Sequence, residues 1–197
     1  ENELALLLPD LFFVLFGLVV GSFLNVCIAR LPAEESVVLP NSRCPRCAAA
    51  IKPYDNIPVV SYVLLGGKCR SCKEPISWQY PAVEVLTAMT FWLTYAVVGI
   101  QLKTLVLLVF FSAIIVLIFI DLHHRILPDV ITLRGTVVGL LLSLLVPVED
   151  GTARFLFGMM GFPLTQTIVL SFLDSFIGAL VCGGFLWGVA EAYYRIR

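Results

Sequence analysis

Two groups of residues have the types and spacing to do chemistry. Between residues 31 and 80 the chain reads "RCPRCAAAIKPYDNIPVVSYVLLGGKCRSCKEPI", in which Cys44/Cys47 and Cys69/Cys72 form two CxxC pairs with 21 residues between them. Two thiolates on each tight turn can grip one ion from two sides, the ligand pattern of a closed, four-sulfur structural zinc site with no open catalytic position. The same four residues could instead form two disulfides or stand as free thiols, and a reducing compartment disfavours the first. The second group is the acid in "FIDLHHRILPDVIT". Asp121 ends a long apolar run, and an ionisable residue at such a place is a functional candidate by default. It can cap or anchor the following segment, or be one of two carboxylates that share a proton, one activating water and the other protonating a leaving group.

Other titratable residues have simpler readings. Pro128 and Asp129 suit the opening turn of the next helix. His123 and His124 are adjacent, which is poor spacing for two ligands on one helical face. Asp174, in "VLSFLDSFIGAL", is expected to make a polar contact within its helix layer, away from Asp121. Glu84 can stabilise a helix amino terminus through the dipole or line a site near Asp121. Cys27 and Cys182 fall inside apolar runs and read as small buried hydrophobes. Gly178, Gly183 and Gly184 suit close helix packing.

The elements that must position these residues are membrane spans. Of the 197 residues 59% are hydrophobic and 14% charged, with a mean hydropathy of +0.97, which excludes an ordinary soluble domain. The net charge of −1 gives no electrostatic basis for binding nucleic acid. A crossing takes roughly 20 apolar residues, and about five stretches qualify or nearly do: Leu11–Ile28, Ala82–Val98, Leu105–Ile120, Ile131–Val146 and Ile168–Ala190. The first lacks the basic start and cleavage site of a signal peptide. The expected fold class is an all-α polytopic membrane protein with a small zinc-ribbon-like loop, divided into a first transmembrane helix (1–30), a tetracysteine loop (31–80) and a helical region (81–197). With the amino terminus outside, eleven Lys and Arg residues fall on inner segments and two, Lys103 and Arg154, on outer ones. The positive-inside rule therefore places the cysteine loop and Asp121 on the cytoplasmic face.

The order "GSFLNVCIARLP", "CPRC", "DNIPVVSYVLLGGKCRSC", "ISWQYPAVEVL" and "IDLHHRILPDVIT" resembles that of the bacterial type IV prepilin peptidases. The resemblance implies a multi-pass protein of the bacterial inner membrane, an aspartic endopeptidase that removes the basic leader of type IV prepilins and of type II secretion pseudopilins. It also implies N-methylation of the new amino terminus with S-adenosylmethionine. Asp121 matches the family's first catalytic aspartate, and Cys44, Cys47, Cys69 and Cys72 match its zinc loop, associated there with the methyltransferase half. The second catalytic aspartate of the family ends a GxGD motif, and none occurs in these residues. The nearest stretch, "GMMGF" at Gly158–Phe162, has no acid. The expectation is a fragment that stops just before GxGD and is inactive as a peptidase by itself. A non-catalytic membrane adaptor with a zinc docking module is the alternative. A proton-coupled transporter is disfavoured by the lack of an inverted repeat.

Overall fold

In lipid an apolar run can satisfy its backbone only internally, and the long runs of this chain accordingly form helices. A computed structural model describes residues 2–39, 42–126, 128–147, 151–159 and 166–196. The "GMMGF" stretch lies mostly outside them. The helices are α1 (Asn2–Arg30), α2 (Val60–Leu64), α3 (Gln79–Val98), α4 (Leu102–His124), α5 (Asp129–Leu142), α6 (Thr152–Met159) and α7 (Thr167–Ile196). There are no strands among the described residues, only two isolated bridges, Arg43 with Ala50 and Lys68 with Pro75. The chain divides into two compact units, Glu1–Pro128 and Asp129–Arg197.

Four helices are long and apolar enough to cross a membrane, over Leu7–Ala33, Gln79–Val98, Leu102–His124 and Thr167–Phe185. The protein is an all-α polytopic membrane protein, as expected. The expected span Ile131–Val146 differs: α5 has 14 residues, about 21 Å of helix against a hydrocarbon core of about 30 Å. Outward-facing Leu105, Val109, Phe110 and Ile118 on α4 are exposed, as lipid contact requires.

In the first unit α1, α3 and α4 pack together around Phe13, Phe91 and Leu108, with the Phe13 and Tyr95 rings stacked 4.5 Å apart. The α1–α3 crossing is antiparallel and close. A Cβ added at Gly17 would lie 2.5 Å from Ala88 Cα, and one at Gly21 would lie 2.7 Å from Glu84 Cα. This small-residue packing sits in α1. Around Gly178, Gly183 and Gly184, where the sequence suggests it, no described atom comes within 4 Å of an added Cβ. Gly17→Ala should therefore force backbone from backbone and cost about 1–3 kcal/mol. A lower unfolding midpoint in detergent titration would show this, with Gly135→Ala, which meets nothing within 4 Å, unchanged.

A short turn at residues 99–101 reverses the chain between α3 and α4. Gly99 takes φ +78°, open to glycine at no steric cost, and its N–H donates to Tyr95 O at 2.7 Å. The reversal brings the end of α4, with Asp121, to the same end of the unit as Arg30, Gln79 and the cysteine loop. Arg125 closes α4 in the left-handed conformation, φ 54°, its N–H donating to the Asp121 carbonyl at 2.9 Å.

In the second unit Asp174 is buried, and its Oδ1 accepts the N–H of Ala153 in the first turn of α6. That contact satisfies one of the helix's unpaired amino-terminal donors and gives this acid the structural role expected of it. Ser171 Oγ donates to Ser143 O at 2.8 Å between α7 and the end of α5. Asp129 is the first residue of α5, also as expected.

Candidate functional site

The two CxxC turns are built alike. Cys44 N–H donates to Ala49 O at 3.0 Å and Ala48 N–H to Cys44 O at 2.9 Å; 25 residues later Cys69 N–H donates to Glu74 O at 2.8 Å and Lys73 N–H to Cys69 O at 3.0 Å. Each turn closes on a residue in the left-handed region, Ala48 at φ 57° and Lys73 at φ 62°. Neither is glycine, so Ala48→Gly and Lys73→Gly should each stabilise the loop by about 0.5–1 kcal/mol. Slower metal loss to a chelator would register the gain.

The repeated turns bring Cys44, Cys47, Cys69 and Cys72 together, with all four Sγ atoms within 4.8 Å of one another. Cys44 Sγ and Cys72 Sγ are 3.9 Å apart. All four are free cysteines; a disulfide would need about 2.05 Å. The edge of a tetrahedron with Zn–S bonds of 2.3 Å is about 3.8 Å, so these residues fit a metal such as zinc. The backbone N–H groups of Cys72 and Ser71 draw the Cys69 thiol down to about 6. At Cys72 the Glu74 N–H pulls the same way but is outweighed by desolvation and by the thiols of Cys47, Cys69 and Cys44, which push it up to about 12. Of these two thiols Cys69 thus gives up its proton the more readily, and it is the deprotonated form that binds a divalent ion.

Polar contacts tie the loop together and to the helices. Arg70 grips Asp55 with Nε at 3.0 and 2.9 Å from the two carboxylate oxygens and Nη2 at 2.6 Å from Oδ1. This pairing holds the Asp55 carboxyl below its usual range. The cations of Lys52 and Arg70 both lie over the Tyr54 ring, 5.6 and 5.7 Å from its centroid. Ser61 Oγ donates to Tyr54 O at 2.9 Å and accepts Ile57 N–H at 3.1 Å. Val59 stands at φ 60°, ψ −48° in a γ-turn whose Val60 N–H reaches Pro58 O at 2.5 Å, a strained conformation for a β-branched residue. The turn aims Val59 N–H at Glu84 Oε2, 2.7 Å away. Glu84 therefore clamps the loop onto α3 and does not serve the helix terminus. Beneath the loop, against α1 and α3, lies a cavity of about 500 Å³ lined by Asn25, Glu84, Tyr80 and the inner faces of both cysteine turns.

Asp121 is exposed, one turn before the end of α4, and its carboxylate makes no hydrogen bond or ion pair among the described residues. It lies at the loop end of the unit but does not line the cavity. His123 Nδ1 is 2.7 Å from Phe119 O, a local helix contact. Of the two remaining cysteines, Cys27 is buried as expected, whereas Cys182 is exposed on α7. Two features escaped the sequence reading. One is the Glu84–Val59 clamp, which no local pattern signals. The other is Asn25, whose place in an apolar helix was its only mark.

Residues 15–98 match the bacterial peptidase A24 N-terminal domain. The chain is 45% identical over 132 residues to the prepilin leader peptidase/N-methyltransferase of Myxococcus xanthus, covering 67% of this chain and 39% of that protein. It is 36% identical over 171 residues to the protein of the same name from Pseudomonas aeruginosa, covering 74% and 59%. A third, from Bacillus subtilis, is 36% identical over 115 residues, covering 58% and 46%. The chain thus spans 39% to 59% of the length of these curated relatives. No solved structure matches it. The matched domain contains both cysteine turns, Asn25 and Glu84, and with the relatives aligned along most of the chain it bears out the resemblance: this chain carries a bacterial peptidase A24 N-terminal domain and is similar to the type IV prepilin peptidases.

Proposed function

We propose that this chain serves in prepilin processing, as part of a membrane aspartic endopeptidase that also methylates the amino terminus it creates. The observation that carries the reading is the placement of Asp121, exposed and without an ion pair among the described residues, at the same end of one helical unit as the tetracysteine loop. A prepilin or pseudopilin has a basic leader followed by an apolar helix. Its scissile bond falls where the chain passes from water into lipid, the depth proposed for Asp121 in the last turn of α4.

In the proposed reaction an Asp121 carboxylate oxygen takes a proton from water as the water oxygen adds to the scissile carbonyl carbon. The C–N bond then breaks, and the leaving amine takes up a proton from the carboxylate pair. Asp121 supplies one member of that pair. The other is the aspartate of the family's GxGD motif, which is not among these 197 residues, so this chain by itself is expected to leave a prepilin uncut. Leader removal by the purified 197-residue chain would refute that assignment.

Cys44, Cys47, Cys69 and Cys72 would hold zinc as a structural ion that organises residues 31–80 between a first transmembrane helix (1–30) and the helical region 81–197. S-adenosylmethionine supplies a methyl group when bound, and the chain's part is to hold the acceptor amine near the loop. We place the protein in the bacterial inner membrane with its amino terminus periplasmic. Between the first two spans lie Arg43, Arg46, Lys52, Lys68, Arg70 and Lys73, against Lys103 alone near the α3–α4 turn, which puts the loop in the cytoplasm. Thiol labelling of Cys47, the exposed member of the cluster, in sealed inverted vesicles tests this. Labelling only in right-side-out vesicles would reverse the orientation.

A further inference from the structure

The short helix α2 is inside out for a segment in water. Val60, Val63 and Leu64 stand at helical spacing on one face, and all three are exposed, Leu64 at 80%. The polar Ser61 is instead buried, 6% exposed. Its hydroxyl donates inward to Tyr54 O and accepts Ile57 N–H. Ile57, just before the helix, adds a fourth exposed aliphatic side chain. An outward aliphatic face of this kind marks a contact surface.

What covers that face follows from its depth, which Glu84 sets. Val59 N–H, at the start of α2, donates to Glu84 Oε2 at 2.7 Å. Glu84 lies past Gln79, the first residue of α3, by about 7–8 Å of helix at 1.5 Å per residue. α3 is one of the four helices fit to cross a membrane, and its 20 residues make about 30 Å, the thickness of the hydrocarbon core. With α3 across the bilayer, the turn at Val59 is therefore held inside the lipid boundary. Just beyond Glu84 the same helix carries exposed Val85, Leu86 and Met89. Lipid also demands that backbone donors be satisfied within the protein. Ile57 N–H reaches Ser61 Oγ, Val59 N–H has Glu84, and Val60 N–H closes on Pro58 O. Ser61 N–H and Val63 N–H then donate to Ile57 O and Val59 O, both at 3.0 Å. Gly66 and Gly67, at φ +59° and +66°, turn the chain away, and exposed Lys52 and Lys68 flank the segment on stems long enough to reach headgroups.

We propose that residues 57–65 form a shallow re-entrant segment, with the Val60, Val63 and Leu64 face of α2 seated among the acyl chains of the leaflet on the loop side. The strained turn at Val59 and the buried Glu84 carboxylate then have one purpose. Together they dock the segment on α3 and close the donor that the turn opens. The inference rests on the membrane spans and not on the processing chemistry. The lipid contact involves this segment only, and the cysteine turns before and after it remain dependent on the metal proposed for them.

The test is tryptophan fluorescence of the chain in lipid nanodiscs holding one copy each. With Trp78→Phe, Trp92→Phe and Trp187→Phe in place, Val63→Trp or Leu64→Trp supplies a single reporter on the exposed face. In a variant that keeps the helical circular dichroism signal, emission should shift to the blue and resist acrylamide. It should also be quenched more by lipid brominated near the head of its acyl chains than by lipid brominated near their methyl ends. The unaltered chain gives a second reading that needs no substitution: lipid carrying a diazirine near the head of its chains should, on photolysis, label residues 57–65. A reporter open to acrylamide and untouched by bromine would put α2 in water and overturn the proposal. One shielded from acrylamide yet untouched by bromine would mean burial against protein, a second copy or another partner, and overturns it equally, as does photolabelling that spares residues 57–65.

Discussion

Cys44→Ser or Cys72→Ser should release the bound metal and, with it, the folded form of residues 31–78, abolishing methylation of a processed pilin amino terminus. The effect is expected to be near total because the loop has little else to hold it. Val38, Leu39, Val63, Leu64 and Trp78 are exposed, and the 3-10 turns at Leu31–Ala33 and Pro53–Asp55 bury no residues. With zinc held as proposed, the free energy that organises the loop would come largely from the ion, for which apparent values of about 10–16 kcal/mol apply to structural zinc in zinc-finger peptides. Arg70–Asp55 is a surface pair and contributes little by comparison. The α1–α3 crossing at Gly17 and Gly21 lies outside the loop and should persist. Zinc content and methyl incorporation should therefore fall together, and protease sensitivity of the loop should rise, while the helical circular dichroism signal stays. A serine variant with full methylation and no zinc would remove the metal from the account.

Asp121→Asn in a preparation competent for leader cleavage should lower the cleavage rate by about 10²–10⁴-fold, the range for loss of a positioned general acid or base. Asparagine has the same shape but cannot take the proton from water. No loss of folding is expected, since the side chain is exposed and the Asp121 group that closes α4 is its backbone carbonyl, held by Arg125 N–H. Methylation of an already processed pilin should continue, because the cysteine loop and its cavity do not include Asp121. The two kinds of substitution thus predict different patterns: loss of zinc and methylation for the cysteine variants, loss of cleavage with retained methylation for Asp121→Asn. Unimpaired cleavage by the asparagine variant would exclude Asp121 from the carboxylate pair.

The two regions have different legibility for a physical reason. A CxxC pair is a local object: two residues between ligands set the turn, and a second copy 25 residues on completes the shell. Long apolar runs are local in the same sense, since each satisfies its own backbone. Four of the five expected spans could therefore be read directly. The remaining one, Ile131–Val146, contains a shorter helix, because hydropathy does not mark where a helix stops: α5 ends at Leu142, before the apolar run does.

By itself the sequence determined the helical class, the membrane as main solvent, the tetracysteine cluster and the family motifs around Asp121. Tertiary structure alone decided which small residues bring helices together, Gly17 and Gly21 in place of Gly178, Gly183 and Gly184. It also decided that Glu84 holds the loop and that Asn25 keeps an unpaired oxygen beside the cavity. Those outcomes depend on which face of one helix meets which face of another, and on a strained turn at Val59 that a β-branched residue rarely adopts. Residue type and periodicity report the geometry within a segment, whereas these contacts join positions far apart along the chain, as from Val59 to Glu84, from Asn25 to Tyr80 and from Gly17 to Ala88.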